Sequence, residues 1–101
     1  MTVNLDYKTK KFILVSLRDS IKTILSVLEE NQSINDEMYQ AYFDYLKNVA
    51  TILFKDYLLQ EYNLLQNNFK MIDSLSCDNR TKLLKVCRKL VDLGNNITEN
   101  Y

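Results

Sequence analysis

Residues 35–75 contain no proline and no glycine, and apolar side chains recur through them at spacings of three and four residues. The whole chain holds one glycine and no proline in 101 residues. Because the turns that join strands usually need glycine, proline or an Asn-Gly pair, a sheet is disfavoured. The pattern therefore predicts an all-α fold in which short connections join the helices.

Shorter helices are predicted on both sides of this central segment. Apolar residues follow a single stripe over about 8–31, and a second stripe covers about 79–94. Gly94, the only glycine, stands where the end of a helix favours a left-handed residue, so we expect the last helix to end there. With 35–75 these segments form a bundle of three to four helices, in a single helical domain over 1–101.

The apolar stripes in the two halves of 35–75 do not share a register. The centre of the second stripe lies roughly 150° around the helix from the first. Either one straight helix presents opposite faces at its ends, or the chain breaks near 54–57 or 66–68. Between the two stripes, the run at 52–59 is apolar nearly all round, as expected for a buried middle.

The continuous and broken alternatives predict different molecules. Signals for a break are weak, which favours one helix of about 60 Å. The two shorter helices would cover such a helix only partly, so a second copy would complete the cover and the protein would be a homodimer. A break would instead give a compact four-helix bundle.

Charge is divided unevenly although the net charge is zero. Residues 1–22 and 78–92 each carry a net of +3, and residues 29–61 carry −5. Mixed charge on exposed helix faces is the norm, so the basic flanks are expected to attract the acidic middle. No run approaches the ~18 apolar residues of a membrane span, and the N-terminus lacks a signal layout. We expect a cytoplasmic protein that does not enter membranes.

Residue types that carry most enzyme chemistry are missing. The chain has no histidine, which removes the commonest general base and the commonest zinc ligand. One glycine cannot build a phosphate-binding loop. We therefore predict no enzyme activity, no cofactor and no metal. Of the two cysteines, Cys87 lies on an apolar stripe and is expected in the core, whereas Cys77 precedes a helix, where a redox role is an alternative.

Tyrosine and acidic residues alternate in the first half of the central segment. The tyrosines sweep around the helix, so they cannot all enter one core. One interpretation is a wide core boundary with buried rings and hydrated hydroxyls. The other is a protein interface, since tyrosine is enriched at interface hot spots. The candidate interface residues are Glu37, Tyr39, Tyr42, Asp44 and Tyr45.

The last helix is rich in basic residues. Its candidate basic patch consists of Arg80, Lys82, Lys85, Arg88 and Lys89. A solvated helix face is one interpretation, and contact with nucleic-acid phosphates is the alternative. The zero net charge and the lack of a glycine turn between helices make nucleic acid the weaker of the two.

Because catalysis, cofactors and metal sites are not predicted, binding to another macromolecule is the function that we expect. We expect a small helical protein that binds another protein, as an inhibitor, adaptor or immunity-type factor. Its size and helical character are similar to those of small bacterial immunity and anti-factor proteins, although no motif matches residue by residue. The alternatives are a nucleic-acid-associated regulator that uses the basic last helix, and a purely structural homodimer.

Overall fold

Four helices make up the part of the chain that the computed structural model describes, residues 4–101. The predicted all-α fold is confirmed, and the first helix begins and ends within one residue of its predicted bounds. In chain order the helices are α1 (Tyr7–Glu30), α2 (Asp36–Phe54), α3 (Leu59–Asp73) and α4 (Asn79–Asn100).

Three of these helices begin at a side chain that caps the backbone. Asp6, Asn35 and Asp78 each accept a hydrogen bond of 2.7–2.8 Å from the backbone N–H three residues later. Hydrogen bonding from the Thr9 backbone holds the pKa of Asp6 below its ordinary value, and hydrogen bonding from Thr81 does the same for Asp78. The helix starts are therefore specified locally by the sequence.

The central segment breaks between α2 and α3, so the preference for a continuous helix was wrong and the predicted break near 54–57 is confirmed. The backbone N–H groups of Tyr57 and Leu58 both donate to the carbonyl of Phe54, at 3.2 and 2.8 Å. Among the described residues none has a positive φ. Because this turn uses only conformations open to every residue, it needs neither glycine nor proline.

The apolar run around this break was predicted to be buried, and that is only partly right. Phe54 and Leu58 are buried in the core. Ile52, Tyr57 and Leu59 are exposed instead. The break changes the direction of the chain, and one side of the run consequently faces outward.

The fourth helix holds the bundle together. It packs against each of the other three helices, and buried side chains from all four form one core. The molecule extends 41 Å along its longest axis, well short of the roughly 60 Å of an unbroken central helix. The argument for a homodimer depended on that exposed length and loses its premise here.

Gly94 lies inside α4, so the predicted helix end at this glycine was wrong. A Cβ atom at position 94 would stand 3.2 Å from Cδ2 of Leu17 on α1. The glycine therefore allows two helices to approach closely. Beyond Gly94 the chain still packs on the bundle, because Ile97 is buried and the Tyr101 hydroxyl donates to the Glu61 carboxylate.

Candidate functional site

The tyrosine-rich face of α2 divides between the core and the surface. Tyr39 is only 6% exposed, and its ring packs on Phe43 with a centroid separation of 5.3 Å. Its hydroxyl donates a 2.7 Å hydrogen bond to Asp73 of α3. Burial, together with this bond, raises the pKa of Tyr39. Tyr39 is therefore a core residue whose polar end is bonded within the protein.

The other members of this predicted interface lie nearer the solvent. Tyr42 is half-buried against the core, and Tyr45 is 38% exposed with its hydroxyl 3.3 Å from Oγ of Ser20. Glu37 and Asp44 are exposed. The three rings thus do not form one continuous surface, and an interface made by the remaining residues stays a prediction.

The predicted basic patch on α4 is also divided. The guanidinium of Arg80 donates from Nε and Nη2 to the backbone carbonyl of Leu28, at 3.2 Å each. The ammonium of Lys82 donates to the backbone carbonyl of Asp73 at 2.9 Å and lies 5.4 Å from the centre of the Tyr39 ring. Both cations are therefore occupied in joining helix ends.

Three cations of that patch stay on the surface. Lys85, Arg88 and Lys89 are exposed, and Lys89 lines a groove between α3 and α4 together with Glu61 and Asp92. Two carboxylates beside it weaken the attraction of this groove for a polyanion. Phosphate contact from α4 stays a prediction that rests on these three side chains.

An exposed apolar surface lies elsewhere, across α1 and the end of α2. Phe12 is 62% exposed and Ile52 is 73% exposed, although both are large apolar residues. Phe12 lines two neighbouring concavities, one together with Ile52 and Tyr57 and the other together with Tyr7 and Val15. We call this surface the apolar α1–α2 surface, and its members are Tyr7, Phe12, Val15, Ile52 and Tyr57.

A notch of about 350 Å³ lies within this surface. Phe12 lines it from α1, and Ile52 and Tyr57 line it from α2 and the connection that follows. Lys8 and Asp56 bring one charge of each sign to the same notch. The arrangement can accept an apolar side chain, with polar groups beside it to fix the orientation.

A second concavity continues the surface along α1. Lys11 lines it between the exposed side chains of Tyr7, Phe12 and Val15. Within residues 4–101 the lone ion pair joins Arg18 to Asp19, so neither Lys8 nor Lys11 has a carboxylate partner there. The apolar α1–α2 surface is consequently also basic.

Sequence reasoning missed this surface, although one signal for it was present. The buried stripe of α1 includes Ile13, Leu17 and Ile21, and Phe12 lies off that stripe. A large aromatic residue away from the core stripe of an amphipathic helix marks an exposed apolar position. Ile52 offered no comparable signal, because it reaches Phe12 only when α2 folds back along α1.

Residues 4–101 hold no group of three or more histidine, cysteine or acidic residues that could bind a metal ion. In the same range no helix combines the length and the apolar character needed to cross a membrane. Cys87 is buried, as predicted, and burial raises the pKa of its thiol to about 11. Cys77 is half-buried in the connection between α3 and α4.

Comparisons with known proteins found no match. No protein-family model, curated protein or solved structure matches the chain.

Proposed function

We propose that this protein acts by binding another protein, and that the partner lies on the apolar α1–α2 surface. The observation that carries the proposal is the pair Phe12 and Ile52, which are 62% and 73% exposed on opposite elements of one notch. Single exposed apolar residues are normal on protein surfaces, but contiguous patches mark interaction sites. An inhibitor, an adaptor and an immunity-type factor would all use such a surface.

Physical chemistry supports a protein partner at this place. Burying apolar surface contributes about 25 cal/mol per Å² of favourable free energy. Covering these side chains would therefore stabilise a complex. Aromatic residues that fill or flank a pocket are frequent hot spots of binding. The notch offers a place for one anchoring side chain, while Tyr7 and Val15 extend the contact along α1.

The test is a comparison of two double variants in extracts of the organism that encodes the chain. Phe12→Ser with Ile52→Ser removes the apolar notch. Leu64→Ser with Met71→Ser is the matched control, because both residues are 58–61% exposed on α3. A partner captured by the wild type and by the control, and lost from the notch variant, supports the proposal.

Affinity then has to be measured with the purified partner. Loss of two central contacts should weaken binding by about tenfold or more in titration calorimetry. Circular dichroism checks that both variants keep their helical content. Equal affinity of the notch variant and the wild type would reject this surface as the binding site.

A further inference from the structure

We infer that the partner presents an acidic amphipathic helix to the apolar α1–α2 surface. This inference rests on the proposed function and names the chemistry of the partner. Three observations carry it: the unpaired lysines among the apolar side chains, the helical spacing of the exposed row on α1, and the notch beside that row.

The lysines on this surface favour a partner that is negatively charged where it binds. Lys8 lines the notch and Lys11 lines the neighbouring concavity, each beside the exposed ring of Phe12. Lys10 is held at the edge, where its ammonium donates to the backbone carbonyl of Thr98 at 3.3 Å. Asp56 is the one carboxylate that lines the notch. Carboxylates on a partner would find complementary charge along α1.

The same charges argue against a second copy of this chain. A two-fold contact uses the same patch on both molecules. Each copy would bring two lysines, Lys8 and Lys11, and one carboxylate, Asp56, to the contact, so cations would outnumber carboxylates on both sides. This excess of like charge weakens a contact between two copies. An acidic partner avoids that repulsion and gains attraction instead.

The form of the surface favours a protein over a lipid bilayer. A notch of about 350 Å³ is concave, and it suits a protruding side chain better than a flat layer of lipid. Aromatic and basic residues occur at membrane interfaces as well, so the experiment below includes vesicles.

The row of exposed side chains along α1 suits a helical partner. Tyr7, Lys11 and Val15 follow one another at intervals of four residues, with Phe12 beside them. A helix that lies along α1 meets one side chain of this row at each turn, because one turn covers about 5.4 Å. An apolar residue on its face can enter the notch as an anchor, in the helix-in-groove mode of recognition.

The experiment uses three synthetic amphipathic peptides of about 18 residues, or five helical turns. They share one apolar face and differ only in the polar face, which carries glutamate, glutamine or lysine. Binding to the full chain is measured by fluorescence anisotropy. We expect the glutamate peptide to bind at least about tenfold more tightly than the lysine peptide, and this preference to shrink at high salt.

Two pairs of variants locate the contact. Lys8→Glu with Lys11→Glu should invert the preference toward the lysine peptide. Lys85→Glu with Arg88→Glu is the matched control on α4 and should leave the preference unchanged. Phe12→Ser with Ile52→Ser should abolish binding of all three peptides. When the glutamate peptide binds the wild-type protein, the amide chemical shifts of residues 7–15 and 52–57 should change in NMR spectra.

Several results would overturn the inference. Equal binding of the three peptides would remove its electrostatic basis. Self-association in sedimentation that is lost in the notch variant would assign the surface to a second copy. Binding to vesicles of phosphatidylglycerol, without a preference among the peptides, would assign it to a membrane. If a purified partner binds through Phe12 and Ile52 with no charge dependence, the proposed function stands and only the acidic helix is rejected.

Discussion

The hydroxyl of Tyr39 donates a hydrogen bond of 2.7 Å to the carboxylate of Asp73, which joins the first turns of α2 to the end of α3. In one continuous helix these two residues would stand about 50 Å apart. The bond therefore exists only because the chain reverses after Phe54. It also closes the open end of the hairpin that α2 and α3 form.

Replacing Tyr39 by phenylalanine should reveal what this bond contributes. Tyr39→Phe keeps the ring packed on Phe43 and removes only the hydroxyl. We expect a loss of about 1 kcal/mol in the free energy of unfolding, the usual net worth of a hydrogen bond. Urea denaturation measures it. Tyr45→Phe is the control and should change less, because that hydroxyl makes a longer contact, at 3.3 Å, on a more exposed ring.

The same bond predicts a dependence of stability on alkaline pH. Burial and the hydrogen bond to Asp73 raise the pKa of Tyr39 in the folded protein above that of the unfolded chain. The native state therefore favours the neutral phenol. This contribution is complete below about pH 10, the ordinary tyrosine pKa, and is lost as the pH rises through the folded pKa. From about pH 10 upward, wild-type stability should therefore fall more steeply than that of Tyr39→Phe.

The helices could be predicted from local sequence, because their causes are local. Asp6, Asn35 and Asp78 cap the starts, and the apolar stripes specify the buried faces. The shift of about 150° between the two central stripes was a sign of the break. The turn itself carries no marker, since its backbone needs no positive φ and is therefore open to any residue.

The surfaces could not be predicted in the same way, because they depend on which elements meet. Arg80 and Lys82 look like surface cations in the sequence, yet their partners are backbone carbonyls on other segments. Phe12 and Ile52 lie forty residues apart and meet only in the folded bundle. A role that depends on a tertiary contact leaves little trace in the pattern of one helix.

Gly94 gives a third prediction, in which two effects oppose each other. Alanine in a helix is favoured over glycine by about 0.5–1 kcal/mol. The new Cβ would stand 3.2 Å from a methyl group of Leu17 and 3.9 Å from one of Leu14, the latter an ordinary contact. Both leucines line an open groove, into which the Leu17 methyl can move slightly. We therefore expect Gly94→Ala to raise stability by a few tenths of a kcal/mol.

A larger residue should reverse that sign. Gly94→Val adds branched atoms at the close approach of α1 and α4, and overpacking of this kind lowers stability by about 1–3 kcal/mol. Thermal and urea denaturation of the two variants measure both effects. A loss of more than about 1 kcal/mol for Gly94→Ala would mean that Leu17 cannot move aside.

The two cysteines should differ strongly in reactivity. Cys87 is buried and its thiol pKa is raised to about 11, so very little of the reactive thiolate exists near pH 8. Cys77 is only half-buried. Treatment of the native protein with iodoacetamide should modify Cys77 and leave Cys87 intact until urea unfolds the chain. Peptide mass spectrometry separates the sites, and equal rates would indicate that α4 opens locally in the native protein.

Arg80 provides the last prediction. Its guanidinium donates two hydrogen bonds to the Leu28 carbonyl, in the last turn of α1, and that turn contains no basic residue of its own. A cation near a helix C-terminus is favourable, because it compensates the partial negative charge of the free carbonyls. Arg80→Ala should therefore lower stability by about 1–2 kcal/mol.

Lysine at position 80 tests whether charge or geometry is responsible. Arg80→Lys keeps the charge but not the paired N–H groups that reach the Leu28 carbonyl together, so we expect it to recover only part of the loss. Arg88→Ala is the control, since Arg88 is exposed on the same helix and should change stability by less than about 0.5 kcal/mol. If alanine at positions 80 and 88 had equal effects in urea denaturation, the contact with Leu28 would contribute no more than an ordinary surface charge. A larger loss of stability for Arg80→Ala than for Arg88→Ala would show that Arg80 stabilises the fold. The exposed cations of α4 that could then contact a ligand are Lys85, Arg88 and Lys89.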